Sequence, residues 1–140
     1  MPDSNCIFCR IIAGDIPCAK VYESDKVLAY LDLNPMQPGH TLIVPKAHYQ
    51  NILDIPAQAV PDIICAIQII WPAIQKVTRA EGFNVLQNNF SAAGQTVFHT
   101  HWHLVPRHAD DGLKHWDQGR YESMQEMQNM ASTIGSHIQK

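Results

Sequence analysis

The chain has 140 residues, 46% hydrophobic and 16% charged, the balance of a single globular domain (1–140) with one core of its own. Ten Lys and Arg against thirteen Asp and Glu give a formal net charge of -3, and the cations are dispersed, which excludes a basic footprint for a nucleic-acid polymer. Residues 1–5 carry no basic segment followed by an apolar one, and no apolar run is expected to approach the ~20 residues that cross a bilayer. The expected setting is therefore cytoplasmic, with no membrane partner and with the four cysteines reduced rather than forming a secreted disulfide scaffold.

In chain order, Asp3 or Ser4 is expected to cap a short helix carrying Cys6 through Ile12, ended by Gly14. Cys6 and Cys9 then share one helical face. Val21–Glu23 and Val27–Leu31 read as strands of a hairpin turning at Ser24-Asp25-Lys26. Leu33 to Gly39, with two prolines and a glycine, is a loop that delivers His40 to the strand Thr41–Val44. The longest helical stretch runs from about Asp54 to Glu81, with Ile63, Ile64, Ile67, Ile70, Trp71, Ile74 and Val77 recurring at helical spacing toward a sheet. Pro61 and Pro72 interrupt that pattern. A proline inside a helix costs on the order of 3 kcal/mol, which predicts a kink near Ile69 to Trp71 or two helices.

Phe83–Gln87 is a predicted strand, Asn88–Gly94 a polar loop and Val97–Val105 a further strand. Asp110–Gly119 is irregular. Tyr121–His137 has helical periodicity through Met124, Met127, Met130 and Ile134, residues suited to packing or an interface. Strands and helices do not alternate regularly, so the prediction is an α+β fold, an antiparallel sheet with a long helix and a short N-terminal helix packed on it.

His99, His101 and His103 alternate with Thr100, Trp102 and Leu104, so an extended strand puts three imidazoles on one face. An ordinary pKa of ~6.5 suits such rings to nucleophilic attack, proton transfer or metal binding near neutral pH. Two chemistries are open at this point. One is covalent catalysis by an imidazole; the other is a metallohydrolase whose catalytic zinc is bound by His99, His101 and either His103 or His40. The Cys6-Ile7-Phe8-Cys9 pair reads as two buried thiols, a redox pair or half of a metal site. Cys18 and Cys65 are expected to pack, and His108, His115 and His137 to be exposed.

His99-Thr100-His101-Trp102-His103-Leu104-Val105-Pro106 resembles the signature of the histidine-triad (HIT) superfamily. The likeness extends to Cys6-Ile7-Phe8-Cys9-Arg10-Ile11-Ile12, Asp32-Leu33-Asn34-Pro35, Pro38 to Lys46 and Ala93-Gly94-Gln95-Thr96-Val97, which resemble bacterial HIT proteins in order and separation. It covers about residues 6–107, leaving 108–140 as a C-terminal tail and helix. Trp102 departs from the smaller aliphatic residues common in the family.

The resemblance implies a HIT-like fold and a hydrolase or transferase acting at the α-phosphate of nucleoside phosphates, either dinucleoside polyphosphates or phosphoramidates. His101 would be the nucleophile, forming a nucleotidyl-imidazole, with His103, His99 and His40 as its catalytic partners. Asp32 would hold the ribose hydroxyls; Asn88, Gly94, Gln95, Thr96 and Val97 would meet phosphate or leaving group together with His101 and His103. Ile7, Phe8, Leu31 and Leu33 would wall the base. By the same likeness Cys6, Cys9, His48 and His99 would hold a structural zinc, no catalytic metal is expected, and the protein would be a homodimer paired through the long helix and a strand edge, with Trp116 near its rim. A nucleotide-binding regulatory protein with slow turnover would keep the same pocket.

Overall fold

A computed structural model describes residues 2–139; Met1 and Lys140, the ends of the expected domain, lie outside the described residues. Strands β1 (Lys20–Glu23), β2 (Val27–Leu31), β3 (Thr41–Pro45), β4 (Gly82–Leu86) and β5 (Trp102–Arg107) form an antiparallel sheet in the order β1-β2-β3-β5-β4. Helices α1 (Ile7–Ile12), α2 (Val60–Thr78) and α3 (Met124–Ser136) complete the α+β architecture expected from the sequence.

Side chains along a strand alternate between faces, and the two faces carry separate cores. Val27, Ala29, Ile43, Trp102 and Leu104 pack against Ile63, Ala66, Ile67, Ile70 and Ile74 of α2. Leu28, Tyr30, Leu42 and Val44 pack on the other side against Cys6, Phe8 and Cys9. Because β3 and β2 up to Tyr30 are buried on both faces, they are apolar apart from Thr41 rather than alternating. The register Leu42↔His103 and Ile43↔Trp102 puts His103 on the α1 face and Trp102 in the α2 core, where the bulky indole is buried.

Helix α2 runs unbroken, so the chain does not divide here into two helices. Pro61 sits in its first turn, where the missing N–H has no intrahelical acceptor anyway. Pro72 removes the donor to the carbonyl of Gln68, and both residues lie on the exposed side of the helix, away from the sheet. The helix begins after a 3-10 turn at Ala57–Ala59 and ends at Arg79, which takes φ 60, rather than at Gly82. Its buried stripe is narrower than expected: Ile64, Cys65 and Val77 face solvent, and Trp71 is half-buried, stacked on Phe83 at 4.2 Å. Ala57–Thr78 has 22 residues and an 18-residue window of mean hydropathy 1.5, so by length and composition alone it is long and apolar enough to cross a membrane, contrary to the expectation of no such run. Its apolar stripe instead packs on the sheet.

Other boundaries also differ. The cap of α1 is Cys6 itself, whose Sγ accepts from the N–H of Cys9 at 3.4 Å; Asp3 instead accepts from Asn5 and Cys6. Strand β5 starts at Trp102, not Val97. Residues 97–101 leave the ladder because Thr100 N–H turns to the carbonyl of Tyr49 at 2.7 Å and the His99 ring to that of Pro45 at 2.8 Å. Helix α3 begins at Met124 behind its Ser123 cap, three residues later than expected, and is exposed along its whole length. Gly39 has φ +96, and a Cβ there would stand 2.9 Å from Cγ2 of Thr78, so only glycine lets the loop close onto α2 and deliver His40 to β3.

Candidate active site

Three imidazoles meet where β3 and β5 pair. Nδ1 of His40 accepts the backbone N–H of Met36 at 3.0 Å, so a neutral His40 carries its proton on Nε2. That nitrogen lies 2.9 Å from Nδ1 of His103. His103 accepts the hydrogen there and keeps its own proton on Nε2. His101 donates from Nδ1 to the carbonyl of His99 at 2.7 Å, which leaves its Nε2 with a free lone pair. The ring centroids of His101 and His103 are 5.0 Å apart.

The electrostatics keep these rings neutral. Burial pushes His101 and His40 below the ordinary imidazole range. Burial, then repulsion from His101 and His40, lowers His103 to about 4. A neutral imidazole with an unprotonated Nε2 is a nucleophile at pH 7, and a neighbouring Nε2–H is a donor to phosphate oxygens.

His101 and His103 line a cleft of about 320 Å³. Asp32, Thr96 and Val97 stand at its polar end, and Ile7, Phe8, Leu31 and Leu33 line its walls with Tyr30. Phe8 meets the His101 ring edge-on, centroids 4.9 Å apart. Asp32 accepts from Asn34 N–H at 2.8 Å with one oxygen and holds the other 3.6 Å from Nε2 of His40. The Tyr30 hydroxyl is buried without a hydrogen-bond partner among the described residues. A larger hollow of about 410 Å³ between Lys46 and α2 contains none of these histidines.

His99 faces elsewhere. Its Nδ1 lies 3.4 Å from Sγ of Cys6, 3.6 Å from Sγ of Cys9 and 3.2 Å from Nδ1 of His48, which is 3.3 Å from Sγ of Cys9. All four ligand atoms fall within 4.8 Å of one another. A tetrahedral zinc with its usual bond lengths has edges of about 3.6 Å between sulfur and nitrogen and about 3.4 Å between two nitrogens, so the donor set fits such an ion. The Nε2–H of His99 donates to the carbonyl of Pro45 at 2.8 Å, the outer contact that fixes a ligating histidine with its other nitrogen bare. Asp32, His40 and His103 also bring donor atoms within 4.8 Å, but there a proton lies between the two rings.

The other expected residues are more dispersed. Gly94 takes φ +93, and a Cβ there would lie 3.5 Å from Nδ2 of Asn88; neither residue lines the cleft. Gln95 is buried, and both hydrogens of its side-chain amide go to backbone carbonyls, at Gln50 and Val97. This corrects the expectation that its side chain is free to meet phosphate. Sequence reasoning missed the carbonyls of Pro45 and His99 and the N–H of Met36, for which no side-chain signal exists. It also missed the clamp of Arg107 on Asp111 at 2.7 Å and on Asn84 at 2.7 Å, which fastens the segment after β5. His108 is half-buried rather than exposed, whereas His115 and His137 are exposed as expected.

The family model for the HIT domain matches residues 13–110. The chain belongs to the HIT family. Among HIT relatives it is 40% identical over 138 residues to the adenylylsulfatase HINT3 of Arabidopsis thaliana, covering 96% of this chain and 70% of that protein. It is 42% identical over 106 residues to the adenosine 5'-monophosphoramidase hnt1 of Schizosaccharomyces pombe, covering 74% of each. The crystal structure of a HIT-family member from Bacillus subtilis superposes with a TM-score of 0.87 at 40% identity, covering 98% of this chain and 99% of that one. A zinc-bound histidine triad family protein from Mycobacterium smegmatis gives 0.75 at 36% identity, covering 95% and 97%.

Proposed function

We propose that this HIT protein, acting as one domain, hydrolyses or transfers the nucleotidyl group of a nucleoside phosphate through a covalent bond to His101. The observation that carries this reading is the 2.7 Å contact of His101 Nδ1 with the His99 carbonyl, because it leaves Nε2 with a free lone pair for attack. Nε2 attacks the α-phosphorus, forming an N–P bond as the bond to the leaving group breaks. The phospho-imidazolium keeps its Nδ1–H on the His99 carbonyl, and the Nε2–H of His103 holds the phosphoryl oxygens. Water then attacks phosphorus and breaks the N–P bond. The leaving group takes its proton from solvent as it departs; the water oxygen stays on the mononucleotide and the proton it sheds returns to solvent, so His101 returns to its neutral form.

Asp32 accepts from the ribose hydroxyls, and Ile7, Phe8, Leu31 and Leu33 enclose the base. The backbone around Gly94, with the N–H groups of Thr96 and Val97, meets the phosphate, and Asn88 the leaving group. The names of the two relatives favour adenosine 5'-phosphoramidates and mixed anhydrides, with dinucleoside polyphosphates as the other candidate class. The bare Nδ1 of His99 belongs to the thiol cluster, which speaks against one catalytic zinc shared by the whole triad.

Cys6, Cys9, His48 and His99 would hold a structural zinc, and the zinc-bound relative supports that assignment. The ion would supply cross-linking alone, fastening α1 to the sheet. Two copies would pair through the edge strand β4, where Phe83, Val85 and Leu86 are exposed, and through α2. The free thiols suit a reducing cytoplasm.

The test is a panel of adenosine phosphoramidate, adenosine 5'-phosphosulfate, diadenosine polyphosphates and nucleotide sugars, given to the parent and to His101→Ala. The parent should turn over at least one of them, and the variant should bind AMP while losing hydrolysis by about 10³-fold or more. An unchanged rate in the variant rejects His101 as nucleophile. AMP binding without turnover by the parent favours the regulatory reading instead.

A further inference from the structure

The loop before the triad contains a residue in a conformation that ordinarily belongs to glycine. Phe90 has φ 69 and ψ 156, a region that a side-chain-bearing residue keeps only where its surroundings impose it. Gln95 imposes it from both sides. The side-chain Oε1 of Gln95 accepts the N–H of Phe90 at 2.8 Å, and the backbone N–H of Gln95 donates to the carbonyl of Phe90 at 3.1 Å.

The same side chain reaches outward. Nε2 donates to the carbonyl of Val97 at 3.1 Å and to that of Gln50 at 2.7 Å. Gln50 lies two residues beyond His48, on a segment stitched to the triad segment by Thr100 N–H on Tyr49 at 2.7 Å and by Ile52 N–H on Asn89 at 2.8 Å. Thr96 and Val97, between these anchors, line the cleft, and their backbone N–H groups meet no acceptor among the described residues. Two adjacent amides without an acceptor on a fixed loop are the donors that an anion-binding concavity needs.

We infer that Gln95 is a positioning residue: without touching the substrate, it holds the strained Phe90 loop against the His48 segment so that the Thr96 and Val97 amides face the phosphate. This rests on the nucleotide reading above. Every hydrogen of the Gln95 amide already has a protein acceptor, so a direct contact with phosphate would break a buried bond. The cost of an unsatisfied buried carbonyl makes that exchange unfavourable.

The experiment compares the affinities of AMP and adenosine in the parent, Gln95→Met and the double variant Gln95→Met with Phe90→Gly, by calorimetry at a temperature where all three are folded. Methionine keeps the length and removes every side-chain hydrogen bond, so AMP affinity should fall about 10-fold while adenosine affinity stays within about twofold. Glycine at position 90 takes the loop conformation without strain, so the double variant should recover part of the AMP affinity. Equal affinities of parent and Gln95→Met overturn the inference. So does an equal loss for AMP and adenosine, which marks general damage to the cleft, and so does a double variant no better than the single one. A parent that binds neither ligand overturns the nucleotide reading itself.

Discussion

Nε2 of His40 stands 2.9 Å from Nδ1 of His103, and Met36 N–H holds the far nitrogen of the same ring at 3.0 Å. A backbone amide therefore sets the tautomer of His40, and His40 sets that of His103. Replacing His40 by Ala removes the donor that keeps the His103 proton on Nε2, the side needed for phosphate. We expect kcat to fall about 10- to 100-fold, as for other groups that orient a functional histidine, with KM changed far less. Steady-state kinetics on the best substrate check this, and a variant with parental kcat would show that the His40 contact is idle.

The burial of the two rings makes stability depend on pH. An unfolded histidine titrates near 6.5, whereas His103 in the folded chain is lowered to about 4, first by burial and then by repulsion from the His101 and His40 imidazoles. Between those values the unfolded chain binds the proton and the folded chain does not, so stability falls as pH drops from about 6.5 toward about 4. His40 shifts in the same direction. Urea unfolding of the parent and of His103→Asn across that range should give a shallower pH slope in the variant. Parallel slopes would mean that His103 is charged in the folded protein.

How far the sequence discloses such a site depends on which groups build it. The alternation of His99, His101 and His103 located the cluster, and the register Leu42↔His103 keeps the last of them on the α1 face. The roles follow from partners with no sequence signature: the carbonyls of His99 and Pro45 and the amide of Met36. Backbone groups are the same at every residue, so only folding singles out these three. The expected strand from Val97 failed because alternation describes side-chain spacing, not pairing. Two contacts, Thr100 to Tyr49 and His99 to Pro45, take the chain out of the ladder. Pro72 does not divide α2 for a related reason: its cost depends on whether the Gln68 carbonyl can reach water, which only the orientation of α2 decides.

The thiol and imidazole cluster predicts a particular response to metal removal. If Cys6, Cys9, His48 and His99 hold zinc, chelation lowers the thermal midpoint, because the ion fastens α1 to the sheet and α1 contributes Phe8 to the core beneath His101. Assayed well below the new midpoint, the stripped protein should keep most of its kcat, since no step of the proposed reaction passes through the ion. Loss of turnover with the fold intact would instead point to a catalytic metal. Cys6→Ala should bind less zinc than the parent, and equal metal content in the two would remove Cys6 from the ligand set.

Gly39 and Gly14 offer a matched pair for separating backbone strain from steric overlap. Both take positive φ, +96 and +87, but a Cβ at Gly14 would meet nothing within 4 Å, whereas one at Gly39 would stand 2.9 Å from Thr78 and 3.3 Å from Pro106. Gly14→Ala should therefore cost only the left-handed conformation, about 1–2 kcal/mol. Gly39→Ala should cost that plus about 1–3 kcal/mol of overpacking against α2 and β5, measured as the difference between their urea midpoints at a common slope. The consequence for the site differs as well. His40 follows Gly39 directly, and its N–H is held by the carbonyl of Gln37 at 3.0 Å, so relief of the overlap displaces the ring that donates to His103. Gly39→Ala should lose activity per folded molecule, and Gly14→Ala should not. Equal stability of the two variants would mean that the Thr78 methyl yields freely, and then the turn at Gly39, rather than its contact with α2, is what places His40.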